Sequence, residues 1–270
     1  SVREKHPSVL LRDHAAPVGK GSWQPYANKA AAAAQVPSSY GEAMASPDRD
    51  RWVAAMDEEQ ESLAAHNTWT LERTPKGVKP IGTRWVYQLK EQEGAEPRYK
   101  ARLVAQGYAQ KEGVDYEEVF APVNKHSTMR ALLAKVAAED LELEQIDVKT
   151  AFLNGELSED VWVKQPEGYE QGGNELSCHL NKALYGLKQA PRAWHAKLNA
   201  VLQQLGLTAS LADPGLYYKH TAAGSTYMAV WVDDIMLATT SKALMQESKQ
   251  GVLSVFEARD LGEARNFVGL

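Results

Sequence analysis

Tyr227-Met-Ala-Val-Trp-Val-Asp233-Asp234-Ile-Met-Leu-Ala238 sets two adjacent carboxylates between two runs apolar enough to be buried. Residues 226–239 are one apolar stretch interrupted only by this pair. Two acids at a hairpin tip ordinarily favour a turn and do nothing more. Here the flanks leave little room for solvation, and an unpaired buried carboxylate is costly unless it meets a metal or several donors. A divalent cation answers that cost.

Holding two cations needs a third carboxylate, and Asp147 in Gln145-Ile-Asp-Val-Lys149 is the candidate. Alternation along a strand sends Ile146 and Val148 to the other face. An antiparallel neighbour bearing Asp233 would bring the acids together. Two metals roughly 3.5–4 Å apart would then activate an attacking oxygen and stabilise a leaving one. Periodicity makes this triad available without requiring it. Lys100 and Arg102 stand two apart on a strand and project from one face, opposite Tyr99, Ala101 and Leu103. Charge-assisted donors on a rigid element suit a triphosphate; an isolated Lys-x-Arg is otherwise a solvated strand face. No Gly-x-x-x-x-Gly-Lys loop, His-Glu-x-x-His or Gly-x-Ser-x-Gly occurs, which disfavours P-loop nucleotide hydrolases, zincins and serine hydrolases.

Outward from these residues, the chain reads as α+β. A helix is expected from Ser46-Pro47 as cap and first helical residue to about His66, with Trp52, Met56 and Leu63 at helical spacing. Residues 81–90 and 98–107 read as a β-hairpin with Gly94 and Pro97 in its turn. A helix is expected over 128–140, a strand over 141–148, a turn at Asn154-Gly155, and a helix from Pro191 that Gly206 stops. Ser241 caps a last helix. Residues 1–38 carry Pro7, Pro17, Pro25, Pro37 and the run of alanines 30–34, and read as a disordered low-complexity linker.

The chain has 270 residues, 44% hydrophobic and 24% charged, which excludes collagen-like and wholly disordered classes. Apolar runs reach only about five residues, too short to span a bilayer, and the polar first 30 residues hold no secretory signal. The lone Cys178 excludes an internal disulfide or a cysteine-rich zinc site and fits a reducing compartment, so a soluble intracellular chain is expected. Net charge is −5, but its distribution is segregated. Residues 73–130 hold 11 Lys/Arg against 7 Asp/Glu, and 179–220 hold 5 against 1, while 139–175 hold 2 against 11. A basic track beside an acidic pocket suits phosphate handling around bound cations; solvated faces of different sign explain the counts equally well.

Five ordered stretches together resemble the reverse transcriptase of copia-type long-terminal-repeat retrotransposons: Arg98-YKARLVAQGYAQKEGVDYEEVFAPV-Asn124, Gln145-IDVKTAFLNGEL-Ser158, Leu184-YGLKQAPRAW-His195, Ala212-DPGLY-Tyr218 and Val230-WVDDIML-Ala238. The resemblance covers about residues 38–270 and implies a right-hand polymerase, with fingers and an antiparallel palm over 39–270. It implies that Asp147, Asp233 and Asp234 are the catalytic carboxylates and ligands of two Mg²⁺ ions, with Mn²⁺ as a substitute. By the same match Lys100, Arg102, Val148, Phe152 and Tyr185 contact the incoming dNTP, Phe152 blocking a ribose 2′-hydroxyl. Read without the motif, Phe152 is a core aromatic. Lys188, Gln189, Pro191 and Trp231 fall to the template and primer, an RNA or DNA template being implied.

Where the family usually has tyrosine before Val-Asp-Asp this chain has Trp231, which keeps a flat ring and loses the hydroxyl. Residues 266–270 match the start of the primer-grip segment, so a polyprotein fragment without thumb and RNase H, or the product of a decayed element, is expected. The other polyprotein products (RNase H, integrase, capsid) are implied partners, no membrane is, and the implied location is a cytoplasmic virus-like particle or the nucleus. An RNA-directed DNA polymerase is the leading expectation. The alternatives are an inactive remnant, inert or binding nucleic acid only, and an unrelated α+β metal enzyme.

Overall fold

The computed structural model describes residues 36–92, 95–264 and 267, which belong to one compact unit. The linker expected over 1–38 lies outside the described residues except for 36–38, and the primer-grip match over 266–270 lies outside them except for Phe267. A short helix, α1 (Tyr40–Ala45), and a longer one, α2 (Arg49–Ala65), open the fold. Ser39 caps α1 by accepting the Glu42 N–H. Ser46, expected as the cap of a single helix, instead ends α1 with φ −69° and ψ 147°. A residue before proline is pushed out of the helical region, so the chain breaks there and restarts after Asp48. α2 stops where Asn67 takes φ 50° and the Thr68 N–H returns to the Leu63 carbonyl at 3.1 Å.

α2 lies against a two-stranded hairpin, β2 (Thr83–Gln92) and β3 (Ala95–Ala105). Trp52 meets Tyr99 and Tyr87 edge-on at 4.5 and 5.2 Å, and the Tyr87 hydroxyl reaches Met56 Sδ at 3.2 Å. Burying each such side chain contributes about 1.5–3 kcal/mol. Pro97, expected in the turn, sits within β3. The pairing register shifts between Lys90 and Gln92, opposite Arg98 and Ala95, and a residue without an N–H is tolerated at such a bulge.

The main sheet is antiparallel, its six strands being β4 (Glu142–Val148), β7 (Thr208–Ala209), β8 (Leu216–Thr221), β9 (Gly224–Trp231), β10 (Asp234–Thr239) and β11 (Ala258–Glu263). They lie in the order β11-β4-β10-β9-β8-β7. α4 (Ala190–Gln204) and α5 (Lys242–Leu253) cover one face, packing Trp194, Leu198, Leu202, Met245 and Val252 onto Ile146, Ile235 and Leu237. α3 (His126–Glu139) puts Met129 and Leu132 on the other face against Ala229, Met236 and Ala238. Pro191 opens α4, Gly206 at φ 83° ends it, and the Ser241 hydroxyl caps α5 by accepting the Leu244 N–H. A small sheet, β1 (Trp69–Arg73), β6 (Leu176–Leu180) and β5 (Trp162–Val163) in that order, completes the α+β fold. Among the described residues no helix is long and apolar enough to cross a membrane.

Candidate functional site

β9 and β10 are joined by two residues, Val232 and Asp233, with Trp231 paired to Asp234. Val232 has φ 55°, while Asp233 stays at negative φ. A two-residue hairpin of this kind ordinarily puts glycine at its first position. A β-branched side chain held there stores on the order of 1–3 kcal/mol of strain. Two contacts hold the turn: the Trp194 indole donates to the Val232 carbonyl at 2.7 Å, and the Val148 N–H to the Asp233 carbonyl at 2.8 Å.

The same register sets Asp147 of β4 directly opposite Asp234, with Ile146 opposite Ile235. Ile146 and Val148 are buried under α4 and α5, as alternation requires. Asp147 and Asp233 line one cavity of about 500 Å³, whose walls also include Lys100 and Arg102 of β3 and Tyr185. Asp234 does not line it; its Oδ1 accepts the Gln145 amide at 3.0 Å. Burial pushes the Asp233 carboxyl above the usual range, and the neighbouring Asp147 charge adds to this against the pull of its own N–H, Arg102 and Lys100. Burial likewise raises Asp234, opposed by the Gln145 amide and reinforced by Asp233 and Asp147.

Among the described residues none of these three acids is in ion-pair contact with a cationic side chain, and no three His, Cys, Asp or Glu side chains form a closed metal cage. Two carboxylates on an open cavity nevertheless fit Mg²⁺, which usually takes one or two carboxylates and completes its shell with water and substrate phosphate.

Facing the acids, Lys100 is lowered by burial and by Arg102 and Lys90. The Arg102 guanidinium lies 5.3 Å from the centre of the Tyr185 ring. Burial pushes the Tyr185 phenol up to about 12. Phe152 does not line the cavity: its ring meets Tyr185 edge-on at 5.1 Å, just past Thr150, which is itself held at φ 47°. Val148 lines the cavity although the residue is only 1% exposed.

The residues expected at template and primer are dispersed. Lys188 is exposed, its ammonium 3.1 Å from the Tyr116 hydroxyl. Gln189 is fully buried and both of its amide atoms are in use, accepting from Gln110 at 2.9 Å and donating to the Asp115 carbonyl at 2.8 Å. Its side chain fixes the 107–118 loop. Pro191 is half-buried in the first turn of α4, and Trp231 is tilted against His126 of α3 at 5.3 Å.

Sequence reading missed Trp194 and Gln145 as supports of the acids, because their partners are remote in sequence. It also missed Glu59, a cavity-lining acid on α2 whose position in the Trp52, Met56, Leu63 stripe was a visible signal.

Residues 66–270 match the family model described as reverse transcriptase (RNA-dependent DNA polymerase). The chain is 39% identical over 237 residues, 87% of its length, to the retrovirus-related Pol polyprotein from transposon TNT 1-94 of Nicotiana tabacum, of which it covers 18%. It is 37% and 36% identical over 224 residues, 82% of its length, to the Pol polyproteins from transposons RE1 and RE2 of Arabidopsis thaliana, covering 15% of each. The chain thus spans less than a fifth of the length of these curated relatives.

Proposed function

The chain belongs to the reverse transcriptase (RNA-dependent DNA polymerase) family, and from that premise we propose that it is the RNA-directed DNA polymerase domain of a copia-type retrotransposon Pol polyprotein. The observation that carries the reading is one cavity lined both by Lys100 and Arg102 of β3 and by Asp147 of β4 and Asp233 of the β9–β10 turn. A triphosphate needs both: donors for its outer phosphates and carboxylates for the cations at its reacting phosphorus.

In this reading the β2–β3 hairpin with α2 forms the fingers, and the six-stranded sheet with α4 and α5 forms the palm. The primer 3′-hydroxyl loses its proton to solvent as its oxygen bonds to the α-phosphorus of a dNTP, and the bond from that phosphorus to the bridging oxygen breaks, releasing pyrophosphate. Asp147 and Asp233 would hold two divalent cations, Mg²⁺ or Mn²⁺, with Asp234, which accepts the Gln145 amide, beside them. When bound, such ions stabilise charge on the attacking and leaving oxygens. Lys100 and Arg102 donate to the triphosphate, Val148 and Tyr185 line its site, and Phe152 backs Tyr185 where a ribose 2′-hydroxyl would fall. Lys188 and Pro191 lie along the template path and Trp231 along the primer. Template, primer and dNTPs are the proposed partners, with the other polyprotein products beside them in a cytoplasmic particle.

Primer extension on an RNA template with Mg²⁺ or Mn²⁺ tests the reading, using the chain beside Asp233→Asn. Extension by wild type alone, with both proteins folded by circular dichroism, is expected. Equal extension by Asp233→Asn overturns the assignment of the acids. Extension by neither folded protein favours the inactive remnant, inert or binding nucleic acid only.

A further inference from the structure

α2 places a carboxylate where its apolar stripe calls for an apolar side chain. Trp52, Met56, Glu59 and Leu63 share the buried side of the helix, and Glu59 is only 6% exposed. Its Oε1 accepts the Leu103 backbone N–H at 3.2 Å, and its other oxygen makes no hydrogen bond among the described residues. The side chain lines the same cavity as Lys100 and Arg102. On that face of β3 Arg98 is already bound to Glu58 at 2.5 Å, whereas Lys100 and Arg102 have no carboxylate in ion-pair contact among the described residues.

Bonding one backbone N–H needs only a neutral acceptor. A glutamine would serve without the cost of desolvating a charge. The charge therefore calls for a separate reason, and the two cations beside it supply one.

We propose that Glu59 is a built-in counter-anion of the phosphate-binding wall, a positioning residue whose charge offsets Lys100 and Arg102 before nucleotide arrives and limits how tightly the cavity holds a phosphate chain. The proposal rests on the reading of Lys100 and Arg102 as triphosphate donors. Burial holds the Glu59 carboxyl above the usual range and Glu58 adds to this, while the Leu103 N–H, Arg102 and Lys100 support its charge against that rise. A polyanion that engages the two cations withdraws that support and adds like-charge repulsion. The other titratable groups lining the cavity are Glu58, Glu61 and His66 at α2, Lys90 and Arg98 on the hairpin, and Asp147, Lys149, Tyr185, Asp233, Glu257 and Arg259.

The probe is inorganic pyrophosphate with Mg²⁺, titrated calorimetrically into the 270-residue chain. Glu59→Gln keeps the acceptor for Leu103 and removes only charge, so its affinity rises about tenfold, whereas charge-retaining Glu59→Asp stays within about twofold of wild type. The double change Lys100→Ala with Arg102→Ala abolishes binding. Unchanged affinity in Glu59→Gln, or equal shifts in Glu59→Gln and Glu59→Asp, overturns the inference while leaving the cationic site standing. No binding by wild type, or binding indifferent to loss of Lys100 and Arg102, overturns both. Should Glu59→Gln fail to fold, the carboxyl ¹³C titration of Glu59 in wild type decides. Its pKa must rise when pyrophosphate saturates the protein, and a pKa that stays put overturns the inference.

Discussion

Trp194 donates to the carbonyl of Val232, a residue whose φ of 55° no β-branched side chain adopts without strain. The turn therefore stays bent only because surrounding groups hold it, and it carries Asp233 at its second position. Trp194→Phe keeps most of the ring that packs edge-on against Phe256 at 5.1 Å, and removes the donor. Leaving that carbonyl unpaired costs about 1–3 kcal/mol of stability, read as a lower denaturant midpoint. Because small displacements of reacting groups cost large factors in rate, we expect extension to fall by about tenfold or more in the folded variant. Full extension per folded molecule would mean that Val232 holds its conformation without the indole. The alternation around Asp147 was legible beforehand, since an isolated acid between Ile146 and Val148 can face only one way. The positive φ of Val232 was not, because the groups that hold the turn, Trp194 and Val148, are remote in sequence, Trp194 by 38 positions.

At the scale of elements, α5, β4 and β11 are pinned by Lys249, which is 4% exposed and contacts both Glu144 of β4 and Asp260 of β11. Burial opposes the ammonium, yet the hydrogen bonds to Asp260 and Glu144 outweigh it and hold Lys249 above its usual value. Burial likewise works against the Asp260 charge, but the bonds from Lys249 and the Gly262 N–H hold its carboxyl below the usual range. A depressed carboxyl stabilises the fold above its unfolded pKa, and that contribution is lost as pH falls through the lower folded value. Lys249→Met leaves two partly exposed acids without their cation, and we expect a loss of about 1–3 kcal/mol at pH 7, less than for a fully buried pair. Acid titration of stability below the ordinary Asp range should flatten in the variant. An unchanged acid profile would show that Asp260 keeps its depressed value without Lys249. The stop of α4 and the cap of α5 were legible because Gly206 and Ser241 act on their own neighbours. The split between α1 and α2 was hidden by a plausible Ser-Pro start, and the Lys249 staple by its reach of 105 residues to Glu144.

In the whole molecule the cavity exists because two cores meet at it. One packs α2, the β2–β3 hairpin and the small sheet around Trp52, Trp85 and Leu184; the other packs α4 and α5 onto the six-stranded sheet. Phe152 is half-buried against both cores and touches Tyr185 of the cavity wall. Its packing is that of a core aromatic, and the sugar gate proposed for it would act from the same position through Tyr185, whereas sequence alone offers the two roles only as alternatives. Phe152→Ala should lower stability by about 2–3 kcal/mol, somewhat under the cost for a fully buried ring. It should also loosen Tyr185, whose ring loses its edge contact, so that discrimination between rNTP and dNTP in extension falls along with the melting temperature. Because the two readouts are independent, they separate the roles. Lost stability with unchanged sugar discrimination would confine Phe152 to packing, and lost discrimination with unchanged stability would show that the two cores are joined by other contacts. Loss of both is what a cavity wall braced between two cores requires.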